Sequence, residues 1–366
     1  MFEKVTVAKT QARDLWKKYE KYFPAAFFLG GLVFDLLTTD RIDQWLTLVQ
    51  QAAYLFIIGV LLILEVLETR GPLPMPGFFA RIWKYRDEIT HFFFGSLLSV
   101  FMIFYFKSAS IVNSFAFISV IVVLLVVNEM ERFKVLGFVI RFALYSLCLC
   151  SYFAYLIPIL LGRVGMIPFF LGITCSLASF AAVFKYLQNK NLDRSLLINK
   201  ILKPSLIVQA SFLFLYMFQL IPPVPLSLRY IGIYHQVEKK QGEFQLYYSR
   251  PWWRFWQSGA QTFLARPGDR IYCFVQIFSP TGFRDQIKVR WLYKEKTGWK
   301  SWDAIPLDIS GGRDEGFRGI AFKEHYTPGH WHVQVETNDG REIGRIHIDI
   351  VADESTGTRE FATDLR

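Results

Sequence analysis

Cysteine is scarce, with four in 366 residues. Cys148, Cys150 and Cys175 fall in apolar runs, and Cys273 stands alone in the C-terminal region. One thiol cannot close a bridge inside its own domain, so a disulfide scaffold is excluded there and Cys273 reads as a buried core thiol. No Ser/His/Asp or Cys/His set is legible, which removes the commonest nucleophilic chemistries. No glycine-rich loop ends in Lys-Ser or Lys-Thr, so nucleotide binding by a P-loop is not expected. The last long apolar run, 205–221, contains no lysine for a retinal Schiff base. No inverted pair of Gly/Pro-broken runs marks a transporter core. The first apolar run follows a long N-region, Met1 to Tyr22, and no small-x-small site comes after it, so it reads as retained rather than cleaved.

Long hydrophobic runs are present instead. Seven segments, 23–39, 45–67, 89–106, 111–128, 135–157, 164–184 and 205–221, are apolar enough to cross a bilayer as helices of about 20 residues. Lys and Arg alternate between them: 17 lie in the segments on one side and 3 in the loops on the other. Positive loops stay cytoplasmic, so the expected N-terminus is cytoplasmic and residues after Ile221 lie outside. Residues 1–221 carry 21 Lys+Arg against 13 Asp+Glu, whereas residues 222–366 carry 20 against 18. The basic excess therefore belongs to loops facing anionic lipid, and a nucleic-acid partner is not needed to explain it. Tyr22, Trp45 and Trp83 sit where interface anchors do, and Pro158 and Pro168 predict kinks or ends in the fifth and sixth spans.

Charges inside such runs are costly unless paired or wet. Asp35 lies toward the outer end of the first run. Glu65, His91, Glu129 and Arg141 share one depth near the cytoplasmic side. Glu88 and His91 form Glu-x-x-His, one face of a di-iron bundle motif, but such bundles need two copies and further Glu, and only one copy is present. Zinc held with Glu65 and Glu129 is one reading; the simpler one pairs Arg141 with Glu129 or Glu65 and leaves His91 at the interface.

After Ile221 three prolines, Pro222, Pro223 and Pro225, predict an extended, semi-rigid connector. The period then changes to two. Strands are expected at 243–249, 270–278, 286–294, 304–309, 317–325, 330–337 and 341–351, separated by Gly, Pro and Asn/Asp turns. Seven short strands at this spacing predict a two-sheet antiparallel sandwich, immunoglobulin-like in broad architecture. In the last hairpin, matching the apolar sets Trp331/Val333/Val335 and Ile346/Ile348/Ile350 to one face fixes the register. With Asp339-Gly340 as a two-residue turn, Val333 faces Ile346, His332 faces His347 and His330 faces Asp349. His330, His332, His347 and Asp349 then form either a first shell for Zn²⁺ or Cu²⁺ or an ordinary polar face, with the ordinary face favoured and no resident cofactor expected.

Seven of the ten tryptophans follow residue 221, and Pro251-Trp252-Trp253-Arg254-Phe255-Trp256 is the densest aromatic run. It reads as core or inter-sheet packing, as a rest on lipid headgroups, or as a surface that stacks on envelope glycan or meets a partner. Gly311-Gly312-Arg313-Asp314-Glu315-Gly316-Phe317-Arg318 is the best candidate binding loop, since Arg313 and Arg318 could clamp a carboxylate or phosphate; the alternative is a tight turn in which Arg313 and Glu315 pair.

Four stretches, Ile221 to Leu226, Gly311 to Arg318, Pro328 to Val333 and Gly340 to Gly344, with Glu88 to Phe94 in the membrane half, resemble bacterial multi-spanning membrane proteins that end in the β domain of unknown function 2914. The resemblance implies a bacterial envelope protein and supplies no activity; the paired histidines His332 and His347 are not part of its pattern. The expected organisation is a cytoplasmic segment (1–22), a seven-helix transmembrane domain (23–221), a Pro-rich connector (222–242), a periplasmic β-sandwich (243–351) and a flexible tail (352–366). The expected function is non-enzymatic: an inner-membrane protein whose sandwich binds an envelope protein or glycan, with Arg313, Glu315, Arg318, Trp252 and Trp253 as candidate contacts. The alternative is a metal-dependent intramembrane enzyme or transporter working from the Glu65/Glu88/His91/Glu129/Arg141 group.

Overall fold

The computed structural model describes residues 43–74, 76–108, 114–115, 117–123, 137–190, 192–313 and 315–366. The first predicted span with Asp35, half of the fourth, and Glu129 and Asp314 lie outside the described residues.

Five described helices are long and apolar enough to cross a membrane: α1 (Trp45–Glu68), α3 (Arg86–Ser108), α4 (Phe138–Leu161), α5 (Met166–Gln188), and a continuous stretch Leu196–Met217. The last begins as a π-helical segment, Leu196–Leu202, and becomes α6 (Lys203–Met217). The short α2 (Gly77–Trp83), which was not expected, precedes α3. These helices keep large apolar side chains such as Phe56, Leu160, Ile207 and Phe214 exposed. A helix apolar on all sides has no soluble face, and its packing surface must be lipid or protein. Pro158 stays inside α4. Pro168 sits in the first turn of α5, where a missing N–H costs nothing.

The chain folds as two compact units, one of residues 1–103, 119–148 and 181–208, the other of 104–118, 149–180 and 209–366. In the first, α1 places Gly59 where the Tyr145 hydroxyl of α4 packs against it, and Ser146 Oγ donates to the Ser205 carbonyl at 3.1 Å. Small residues and serine hydroxyls let helix backbones approach in this way.

Among the described residues the β region of the second unit has eleven strands: β1 (Ser227–Tyr234), β2 (Gln236–Lys240), β3 (Glu243–Tyr248), β4 (Thr262–Ala265), β5 (Ile271–Phe278), β6 (Arg284–Glu295), β7 (Gly298–Ser310), β8 (Phe317–Lys323), β9 (Gly329–Thr337), β10 (Glu342–Ala352) and β11 (Ala362–Leu365). They form a three-stranded sheet β1-β5-β8, a five-stranded sheet β4-β10-β9-β6-β7, and a third sheet β11-β3-β2. The first two face each other across one core that contains Ile233, Cys273, Val275, Val289, Trp291, Trp331, Val333, Ile346 and Ile348. Cys273 is fully buried within it and free. Burial pushes its thiol pKa up, so it stays protonated and inert. The third sheet packs Leu246, Val237 and Phe244 against Tyr234, Tyr230 and Phe274, covering the other side of the three-stranded sheet.

Three expectations are corrected here. Residues 227–240, assigned to the connector, form β1 and β2, and the tail contributes β11, which pairs with β3. The pattern hid them because β1 is apolar on both faces and β2 is polar. The proline segment is not an extended spacer: residues 221–226 are all buried, and Val224 and Leu226 donate back to the Pro222 and Pro223 carbonyls in a compact turn. The β10–β4 pair is parallel, so the sandwich is not purely antiparallel.

The last hairpin adopts the expected register by an unexpected route. Ile346 pairs with Val333, His347 with His332 and Asp349 with His330. The turn, however, closes with Thr337 N–H donating to Arg341 O around three residues, and the register shifts between Glu342 and Gly344. A bulge at Ile343 restores the alignment that a two-residue turn would have given.

Candidate functional site

The five-stranded sheet has two ends, and contacts within the second unit mark one of them. The Gly162 carbonyl accepts from Arg284 N–H at 2.8 Å, and Val164 N–H donates to Asp285 Oδ2 at 2.8 Å, so the start of β6 meets the α4–α5 turn. Burial raises the Asp285 pKa against the two backbone donors that hold its charge. At the β9–β10 turn, Tyr216 of α6 donates to Asp339 Oδ2 at 2.9 Å, Arg341 Nε donates to the same oxygen at 3.0 Å, and the Arg341 guanidinium lies 4.9 Å from the Tyr216 ring centre. Burial opposes the charge on Asp339, but Arg341 and the Thr337 and Tyr216 hydroxyls outweigh it and hold the carboxyl below its usual range.

The aromatic run lies at the opposite end. β10 leaves the anchored turn at Glu342 and pairs with Thr262 of β4 at Asp349, about 23 Å farther along at 3.3 Å per residue. The β3–β4 loop closes there. Its base is fixed by Ile233 N–H donating to the Ser258 carbonyl and Ala260 N–H donating to the Ile233 carbonyl. Arg250 reaches the Gln257 carbonyl and packs over Tyr248, and Arg254 donates to Thr262 Oγ1 at 3.0 Å. The arginines thus brace the loop from within while the rings point out: Trp252, Trp253, Phe255 and Trp256 are 86, 54, 79 and 67% exposed. Core packing, one expectation for this run, is overturned by that exposure. Within the loop, Trp252 and Trp253 meet edge to face at 86°, and Phe255 and Trp256 at 80°. The β6–β7 tip lies at the same level and carries exposed Lys294, Lys296 and Lys300 beside Trp299.

The Gly-Gly loop takes the local form. Glu315 pairs with Arg318, not with Arg313, and its carbonyl accepts from Gln276 at 2.6 Å. Arg313 is exposed on the same loop. Arg318 and Glu315 nonetheless border a hollow of about 330 Å³ with Arg229, Glu243 and Arg366.

The four residues proposed for metal lie on one face in the expected register but do not converge. His330 Nδ1 and Asp349 Oδ1 form a pair at 2.5 Å, while His332 is sandwiched between the Trp299 ring at 3.4 Å and the edge of His347 at 3.9 Å. Burial, then the charge of His347 and of Arg345 and Lys294, lowers the His332 pKa to about 4. Among the described residues no group of three or more His, Cys, Asp or Glu could hold a metal ion.

Among the described residues the interior charges meet at Arg141. Arg141 binds Glu65 Oε1 at 2.5 Å and Asp87 Oδ1 at 2.8 Å, both partly buried. Asp87 was missed because it falls just before the predicted span. Glu88, one residue on, is exposed.

A family described as Protein of unknown function (DUF2914) matches residues 284–350, which run from β6 to β10. That match contains three of the stretches that carried the resemblance, 311–318, 328–333 and 340–344, and excludes the helices. No curated protein matches the chain. Similar solved structures include an immunoglobulin-like protein from Pseudomonas aeruginosa, at 12% identity over 35% of this chain and 98% of that one, with a TM-score of 0.21. A β-glucosidase from Listeria innocua in complex with glucose matches at 11% identity over 24% of this chain and 15% of that one, TM-score 0.18. An alkylpurine DNA glycosylase from Pseudomonas fluorescens, bound to DNA containing an abasic site analog, matches at 9% identity over 76% and 83%, TM-score 0.22. At these scores none of the three bears on function.

Proposed function

We propose that this is a bacterial inner-membrane protein, crossing the bilayer seven times with its N-terminus inside, that displays its β domain in the periplasm as a binding module for an envelope component. Two features support the topology: five described helices are long and apolar enough to cross, and basic residues concentrate in alternate loops. One observation carries the binding role. Four large aromatic side chains stand exposed on a braced loop at the free end of the sandwich, where folding gains nothing from them. Surface apolar clusters of this kind mark interaction sites in soluble domains. Arg313, Glu315 and Arg318 remain as secondary contacts.

The topology is tested by fusing a periplasm-active phosphatase after Arg366, with a cytoplasm-active reporter as the counterpart. Phosphatase activity is expected, and activity of the cytoplasmic reporter alone overturns the placement. The binding role is tested with a photo-crosslinking residue at position 256 in cells. Adducts are expected there and not at position 308 on β7; equal labelling at both sites removes the loop as the contact.

A further inference from the structure

We infer that the Trp252–Trp256 loop inserts into the headgroup region of an anionic lipid bilayer other than the one its own helices cross. The inference rests on the display reading above and names its partner. Three features select lipid over a glycan or a protein groove. First, the ring pairs stand nearly perpendicular, at 86° and 80°, so they offer no coplanar platform for a flat sugar chain. A bilayer interface makes no such demand, and Trp is the side chain most often placed there. Second, the rings form a projecting tip rather than the wall of a cleft, and they leave the fold at the end remote from the anchored β9–β10 turn.

Third, the charge fits. No Asp or Glu occurs between Phe244 and Gly268, while Arg250 precedes the aromatic run and Arg254 lies inside it. At the same end the β6–β7 tip carries Lys294, Lys296 and Lys300 around Glu295, while the exposed acids Glu324 and Glu354 lie on the other turns. A cationic rim around exposed aromatics is the composition that binds anionic lipid, the rings supplying buried apolar area and the charges attraction. Because Arg250 and Arg254 already hold the loop from inside, the rings can enter the interface without first becoming ordered.

The test uses the full chain in nanodiscs of phosphatidylcholine, mixed with free vesicles either of phosphatidylcholine alone or containing phosphatidylglycerol, and scored by flotation. Vesicles containing phosphatidylglycerol are expected to capture the nanodiscs roughly tenfold better than neutral ones, with capture weakened by salt. The variant Phe255→Ser/Trp256→Ser, whose rings are exposed and therefore dispensable for folding, is expected to lose most of that capture. Brominated lipid in the captured vesicles is expected to quench wild-type tryptophan fluorescence. Equal capture by both vesicle types, or by wild type and variant, overturns the inference. Failure here together with adducts at position 256 in cells would leave the display reading standing and make the partner a glycan or protein.

Discussion

The Tyr216 hydroxyl donates to Asp339 Oδ2 at 2.9 Å, so the last helix before the β domain is tied to a hairpin turn 123 residues later. Arg341 completes the tie by binding the same carboxylate and lying over the same ring. The β domain is consequently tied at one end, and the aromatic loop starts from strands at the other.

If that tie is cooperative, Tyr216→Phe and Asp339→Asn will not add. Each is expected to cost about 1–2 kcal/mol, and their double-mutant coupling should lie within about 0.5–3 kcal/mol. The pH dependence has a definite sign. Asp339 has a depressed folded pKa, so its contribution is present above the unfolded carboxylate pKa near 3.9 and is lost as pH falls through the lower folded value. Thermal unfolding of the four proteins at neutral pH measures the coupling; strict additivity would show that the hydrogen bond is incidental.

Arg141 provides the second test, because it separates a structural cluster from a functional one. Removing one partner of a buried pair leaves an uncompensated charge, so Arg141→Ala is expected to destabilise by about 3–5 kcal/mol. Arg141→Met combined with Glu65→Gln should recover a large part of that loss in detergent melts. If the double variant is no more stable than Arg141→Ala, neutralisation is not what the carboxylates provide.

Gly259 governs the base of the aromatic loop. Its φ is +71°, and a Cβ added there would overlap the Ile233 carbonyl oxygen that accepts from Ala260. Left-handed backbone alone costs a non-glycine residue about 1–2 kcal/mol, and the overlap adds to it, so Gly259→Ala is expected to lower the melting temperature clearly. Gly357→Ala, with nothing near its would-be Cβ, is the control. Equal melting of the two variants would mean that the loop base is not rigid.

Much of this arrangement was legible from residue order. Period-two alternation gave the Val333–Ile346 register because a one-residue slip would have turned Trp331, Val333 and Val335 to solvent. The helix from Trp45 ended within one residue of its expected limit, since its hydropathy falls abruptly at Glu68 and Thr69. What escaped was nonlocal. β1 has Tyr230 and Tyr234 on one face and Leu228, Ile231 and Ile233 on the other, with a register shift after Leu228, so no alternation betrays a strand covered on both sides. Asp339 was read as a turn residue, and its partner Tyr216 lies in an apolar run where nothing signals a polar contact. The aromatic run could be located in sequence but not assigned, because burial and exposure of tryptophan are written identically.

His235 gives the fourth prediction. It follows β1, stacked on Phe263 at 4.0 Å and beside Phe361 at 5.0 Å, and both ring nitrogens are buried without a hydrogen-bond partner. Burial, then the nearby Arg359, lowers its pKa to about 4, against weaker opposition from Asp269 and Asp353. An unfolded histidine titrates near 6.5, so as pH falls below that value the unfolded chain takes up a proton that the folded chain refuses. Stability should therefore decline between pH about 6.5 and about 4 and no further from this group; the full effect is on the order of 3 kcal/mol. His235→Phe keeps the stacking and removes the proton site. Its melting temperature should match or exceed wild type at neutral pH and fall less on acidification. His332, lowered in the same direction beneath Trp299, will retain part of the acid sensitivity, and His332→Phe in the same background should remove that part. Melting curves for His235→Phe that track wild type across the interval would mean that protonated His235 finds a counter-charge, with Asp269 and Asp353 as the carboxylates close enough to supply it.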